Sequence, residues 1–110
     1  MMAMGGELEG RRYLSRAIIE EAAQEQSYAE DEIIGWCRMG LGFGLDSPEF
    51  RGATPTSFHW GGHGGSFLTM DLVSGISCAF APNQFKIGDP LDSRLVGLWE
   101  VLGEVSRSIG

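Results

Sequence analysis

The stretch Phe58-His59-Trp60-Gly61-Gly62-His63-Gly64-Gly65-Ser66, with Asp71 and Ala81-Pro82-Asn83 downstream, holds the residue types that could do chemistry in this chain. Glycines expose backbone N–H groups to an anion, and two imidazoles could move a proton or hold a metal. A phosphate-binding loop needs glycines that run into a helix, with Lys-Ser or Lys-Thr behind them. Here they run into Ser66-Phe67-Leu68, which reads as a strand, and no such Lys follows. A metal site on His59 and His63 would lack the third protein ligand of a catalytic zinc, with only Asp71 at a distance to supply it. No metal and no cofactor is therefore expected. A structural alternative stays open: a glycine-rich hairpin or bulge that lets strands pack closely, with Trp60 in the core and both histidines at the surface.

The elements that must position this stretch follow from periodicity. Met1 to Leu8 reads as the tail of a helix followed by a turn at Glu9-Gly10-Arg11-Arg12. Ser15 is placed to cap a helix from Arg16, with Ile18, Ile19, Ala22 and Ala23 on one apolar face. Glu25 to Asp31 is polar and reads as a loop. From Gly40 the period becomes two, with Leu41, Phe43 and Leu45 alternating with glycines as a strand with one bulky and one bare face. Asp46 to Thr56 is a connection. Ser57–Gly61, Ser66–Leu72 and Ile76–Ala81 are three successive strands; Val73-Ser74-Gly75 turns between the last two, and together they predict an antiparallel meander. In the first of them Phe58 and Trp60 share one face and His59 takes the other, the solvent side. Asp89-Pro90 reads as a cap followed by Pro in the first turn, with Asp92 beside the helix dipole. Leu91, Leu95, Leu98, Trp99, Leu102, Val105 and Ile109 then recur at helical spacing. The expected class is α+β: an antiparallel sheet of about four strands between an N-terminal and a C-terminal helix, in one domain spanning 1–110.

Composition narrows the partners. A net charge of −7, with 8 Lys and Arg against 15 Asp and Glu and no basic run, excludes polyanion binding as a main role, so neither nucleic acid nor an anionic membrane surface is an expected partner. No apolar run approaches the roughly 20 residues that span a bilayer. Met1 to Gly6 lacks the basic and apolar parts of a signal peptide, so the cytoplasm is the expected compartment, unless an upstream region carries a signal. Cys37 and Cys78 stand far apart and read as reduced thiols, Cys78 as a small core residue.

The ordered set of motifs resembles the end of the serine β-lactamase and penicillin-binding-protein-like superfamily, in particular the family VIII carboxylesterase branch. In that superfamily the strand beside the active site carries Lys-Thr-Gly, His-x-Gly or Trp-x-Gly, then a glycine turn, a strand ending in Asp and a strand ending in Asn. Trp60-Gly61-Gly62 matches Trp-x-Gly, Gly64-Gly65-Ser66 the turn, Asp71 the first strand end and Asn83 the second. Gly5 to Ser15 is similar to the helix-turn region ahead of those strands, and Gly40 to Leu45 to the glycine-rich strand before the motif. His59-Trp60-Gly61 also fits His-x-Gly; the spacing to Gly64 favours Trp60 in first place.

The resemblance implies a partial β-lactamase/transpeptidase-like fold and an acyl-enzyme mechanism. A Ser of a Ser-x-x-Lys motif attacks an acyl carbonyl of a small ester or amide, and Lys and a Tyr manage the proton. Carried onto this sequence, the backbone N–H of His63 becomes an oxyanion-hole donor, while His59, Trp60, Gly61 and Gly62 line the substrate cleft. Trp60 in place of Lys or His, which would meet a substrate carboxylate, tilts the expectation towards esters. Yet Lys86 is the only Lys, and no Ser has Lys three positions on. Tyr13-Leu14-Ser15 imitates the second motif but falls in the region matching the segment between motifs. The chain is therefore expected to be an inactive C-terminal portion whose partner is the N-terminal remainder of the same fold, with a non-catalytic scaffold or interaction remnant as the alternative.

Overall fold

The computed structural model describes residues 1–86 and 93–109. Its elements are a short 3₁₀ helix Met2–Met4, β1 (Glu7–Leu8), β2 (Arg11–Arg12), α1 (Arg16–Ala22), β3 (Ser27–Asp31), β4 (Gly35–Met39), β5 (Gly44–Leu45), β6 (Phe58–Gly61), β7 (Phe67–Met70), β8 (Ser77–Phe80) and α2 (Ser93–Ile109). β1 and β2 form a small hairpin, and β3 to β8 form one antiparallel sheet of six strands in chain order. The class is α+β as expected. The sheet is larger than the four strands anticipated.

Two departures stand out, and the first, the β3–β4 hairpin, supplies both additional strands. The polar segment read as a loop contains β3, which pairs with β4 along its whole length; its Tyr28 packs edge-on to Trp36 at 5.7 Å. Cross-strand aromatic packing outweighs the poor strand propensity of Glu and Asp. The second is Gly40–Leu45, which is not one strand. Gly40 abuts the Ala22 carbonyl where a Cβ would collide, Leu41 donates to the same carbonyl at 2.8 Å, and Gly42 takes φ 80°. Only Gly44 and Leu45 remain in strand geometry.

At the N-terminus the expected helix tail is a single 3₁₀ turn. Gly5 and Gly6, at φ 71° and 93°, end it in the left-handed region. Ser15 caps α1 as its position predicts, accepting the Ile18 N–H at 3.2 Å. The buried part of α1 is narrower than the apolar pattern suggests: Ile19 is buried while Ile18 is exposed.

The sheet has a helix on each face. Ile19 and Ala3 pack with Leu45, Phe58 and Met70 on one side, and Phe58 is paired with Met70 across β6 and β7. On the other side Trp99 of α2 meets Phe67 edge-on at 4.4 Å, and its Nε1–H donates to the Arg51 carbonyl at 2.8 Å. Trp99 and Gly103 are the buried positions of α2, whereas Val105 and Ile109, read as part of the stripe, are exposed. The Asp89-Pro90 cap, Leu91 and Asp92 lie outside the described residues. Among those residues no helix is long and apolar enough to cross a membrane.

Candidate functional site

The meander β6–β7–β8 presents the glycine stretch along an open strand edge. β6 pairs with β7 over Phe58, His59, Trp60 and Gly61, but with β5 only over Phe58 and His59. The chain has already turned away there, at Gly42, so nothing from β5 faces Trp60 and Gly61. The Gly62 N–H donates to the Ser66 carbonyl at 2.7 Å, towards β7. Backbone groups alternate sides along a strand, so Gly61 turns its N–H and C=O to the open edge. In the turn that follows, the His63 N–H makes no hydrogen bond among the described residues.

The turn beyond this edge is held on several sides. Gly65 N–H donates to the Gly62 carbonyl at 3.3 Å. Gly64, at φ 96°, lies against the Phe85 ring so closely that a Cβ would overlap it. The exposed imidazole of His63 meets the same ring edge-on at 5.0 Å. The Gly64 carbonyl accepts from Lys86 N–H and from Arg94 Nη2, both at 3.3 Å. Neither Phe85 nor Arg94 stood out in the sequence, because such contacts span 21 and 30 positions without any periodic sign.

Trp60 and His59 exchange the roles assigned by the structural alternative. Trp60 is 48% exposed, beside its cross-strand partner Leu68, on the face opposite α2. His59, expected on the solvent side, is only 5% exposed. Its ring stacks on Phe50 at 5.0 Å and meets Trp99 edge-on at 6.1 Å, because the side of β6 it occupies is the one α2 covers. Burial pushes its pKa down to about 4, against a smaller upward pull from Asp46. His59 is thus a neutral packed imidazole, whose Nδ1 has no hydrogen-bond partner among the described residues. It faces the interior beneath α2, whereas Trp60 lies on the exposed face of β6 and Gly61 turns its backbone to the open edge. His63 and His59 do not converge, and no cluster of three or more His, Cys, Asp or Glu capable of holding a metal occurs among the described residues.

Asp71 is a fastener at the far end of the meander. Its carboxylate, 4% exposed, accepts from Thr56 Oγ1 (2.8 Å), Ser74 Oγ (2.8 Å), Val73 N–H (3.1 Å), Thr54 Oγ1 (3.2 Å) and Ser74 N–H (3.4 Å). Burial alone would raise its pKa, but these hydrogen bonds, led by those from Ser74 and Thr56, outweigh it and hold the carboxyl below its ordinary value. It ties the β7–β8 turn to the segment that leads into β6. Asn83 is exposed and lies beyond the end of β8.

A groove of about 540 Å³ runs between residues 48–53 and α2, floored by Trp99 and Gly103. None of Trp60 to Ser66 lines it, so it is separate from the open edge of β6. Along that edge the His63 N–H makes no hydrogen bond among the described residues, and Gly61 turns its backbone outward.

Comparison with solved structures agrees on the fold. A family VIII carboxylesterase superposes with a TM-score of 0.79 and 33% identity over 99% of this chain. A penicillin-binding protein homologue from Caulobacter crescentus gives a TM-score of 0.79 and 31% identity over 96%. The chain spans 29% of the length of each. No family model and no curated protein matches it.

Proposed function

From its membership of the serine β-lactamase and penicillin-binding-protein-like superfamily, we propose that this chain supplies one wall of a serine hydrolase active site, with the His63 N–H as an oxyanion donor. The observation that carries this reading is the edge of β6, where, among the described residues, Gly61 and His63 keep backbone donors free beside exposed glycines. A donor fixed by a strand costs no reorganisation when charge develops on an acyl oxygen.

The substrate is a small ester or amide, and esters are favoured because Trp60 stands where a cation would meet a substrate carboxylate. Trp60, Gly61 and Gly62 flank the acyl group; Gly61 has no side chain to bar its approach. His59, packed beneath α2, acts on the strand's position and not on substrate. The nucleophile comes from residues outside the 110 given, since none of the Ser here is followed at the third position by Lys. In the complete site the Ser oxygen bonds to the acyl carbon, the alcohol or amine leaves with a proton, and water releases the acid. The chain alone is inactive, and its partner is the remainder of the same fold, which covers the exposed face at Trp60 and Leu68.

Two assays test this. Purified alone, the chain should hydrolyse p-nitrophenyl butyrate no faster than buffer does. Joined to an upstream segment carrying Ser-x-x-Lys, it should hydrolyse the ester. There His63→Ala, which keeps the N–H, should retain most activity, while His63→Pro, which removes it, should lower kcat by about 10²–10³. Equal activity in the two variants would remove His63 from the oxyanion hole. The second reading, a non-catalytic scaffold, is favoured by the missing nucleophile; a stop codon in frame directly ahead of Met1 would select it.

A further inference from the structure

Three groups converge on the turn after β6. The Arg94 guanidinium, at the start of α2, donates through Nη2 to the Gly64 carbonyl (3.3 Å) and through Nη1 to the Gln84 carbonyl (3.0 Å). It lies 5.8 Å from the centre of the Phe80 ring, at the end of β8. Lys86 N–H reaches the same Gly64 carbonyl, and Phe85, the residue before it, packs on Gly64 and meets the ring of His63 at right angles or nearly so. One side chain thus joins the helix, the segment after β8 and the glycine turn.

A turn of four residues with three glycines has little intrinsic preference for one arrangement of its peptide planes. Here the Gly64 carbonyl faces Arg94 and Lys86, and the Gly65 N–H is spent on the Gly62 carbonyl. With those planes held, the His63 N–H is left without a hydrogen bond among the described residues. A guanidinium suits the task because its planar fork reaches two carbonyls at once; a Lys ammonium lacks that fork.

We propose that Arg94 is a positioning residue for the His63 amide, acting through the Gly64 carbonyl to hold the turn in the orientation that offers this donor to substrate. The catalytic half of this statement rests on the function proposed above; the structural half does not.

The test compares wild type with Arg94→Met, which keeps an apolar stem over Phe80, and Arg94→Lys, which keeps the charge. In ¹H–¹⁵N spectra of the 110-residue chain, Arg94→Met should shift or broaden the amides of His63, Gly64 and Gly65 and speed Gly65 exchange by at least about tenfold, with β3–β4 amides unmoved. Arg94→Lys should fall between the two. Unchanged turn amides in Arg94→Met overturn the proposal. If that variant loses its dispersed spectrum altogether, Arg94→Lys decides, and wild-type turn amides there overturn it. In the complete, ester-hydrolysing protein, Arg94→Met should lower kcat by about 10- to 100-fold with little change in KM, assayed well below its melting temperature. A variant that melts earlier yet keeps wild-type kcat marks Arg94 as a helix anchor only and overturns the catalytic half. Complete absence of ester hydrolysis in the wild type overturns the proposed function and the catalytic half together, while altered turn amides would still support the structural bracket.

Discussion

His59 lies almost flat on the ring of Phe50, centroids 5.0 Å apart and planes 28° from parallel, with its Nδ1 buried and unpartnered among the described residues. This is the environment of a histidine that folding keeps neutral. An unfolded chain protonates His59 near its ordinary value of 6.5, the folded chain only near 4. Between those values the unfolded state binds more protons, so stability present above pH 6.5 is lost as the pH falls. The full shift of about 2.5 units corresponds to roughly 3 kcal/mol at its limit. Urea unfolding at pH 7.5, 6 and 5 should show this decline, and His59→Phe should flatten it. An identical pH slope in the variant would mean that other groups carry the effect.

Asp71 is likewise held deprotonated by the fold, here in its charged form. Its carboxyl is held below its ordinary value, so its contribution is complete above about pH 4 and is lost as the pH falls through the lower folded value. Asp71→Asn replaces an oxygen acceptor with a donor amid hydroxyls and amides that all point inward. We expect a loss of roughly 1.5–3 kcal/mol at pH 7, read from the denaturation midpoint at unchanged slope. A loss under about 0.5 kcal/mol would show that the five contacts are replaceable by water.

Gly64 is required by contact as well as by its φ of 96°. Gly64→Ala drives a methyl into the Phe85 ring and should destabilise by roughly 2–4 kcal/mol, overlap and backbone strain together. Phe85→Ala in the same chain should return most of the overlap part and leave only the strain. Additive losses in this double-mutant cycle would mean that the ring moves aside freely.

Gly61 separates folding from function. A Cβ there would meet nothing nearer than the Ser66 carbonyl at 3.4 Å, an ordinary contact. Gly61→Ala should therefore leave stability within about 0.5 kcal/mol of wild type. In the complete protein the added methyl projects from the face of β6 that it shares with His59, next to the open edge. Ester hydrolysis should fall by at least about tenfold, mainly through KM as a steric block to binding. Full activity would place the substrate elsewhere.

Much of the fold was legible in the chain because local rules carried it. The Ser15 cap, the three strands of the meander, the turn at Val73-Ser74-Gly75 and the closing helix each follow from residues a few positions apart. The resemblance to the superfamily likewise rested on the order and spacing of motifs, and the superposed structures are members of it. β3 was missed for the converse reason: Ser27–Asp31 is polar, and its pairing with β4 is bound up with the Tyr28–Trp36 contact, visible only after the hairpin closes.

The sequence by itself determined the two faces of β6, since side chains alternate along any strand, and it determined that a glycine turn follows. Tertiary structure decided which face is interior. α2 lies over His59 and leaves Trp60 exposed, a choice made by Trp99 docking on Phe67 from 32 positions away. It also decided the orientation of the turn, through Arg94 and Phe85. Glycine backbones accept many orientations, and only packing from distant residues selects one.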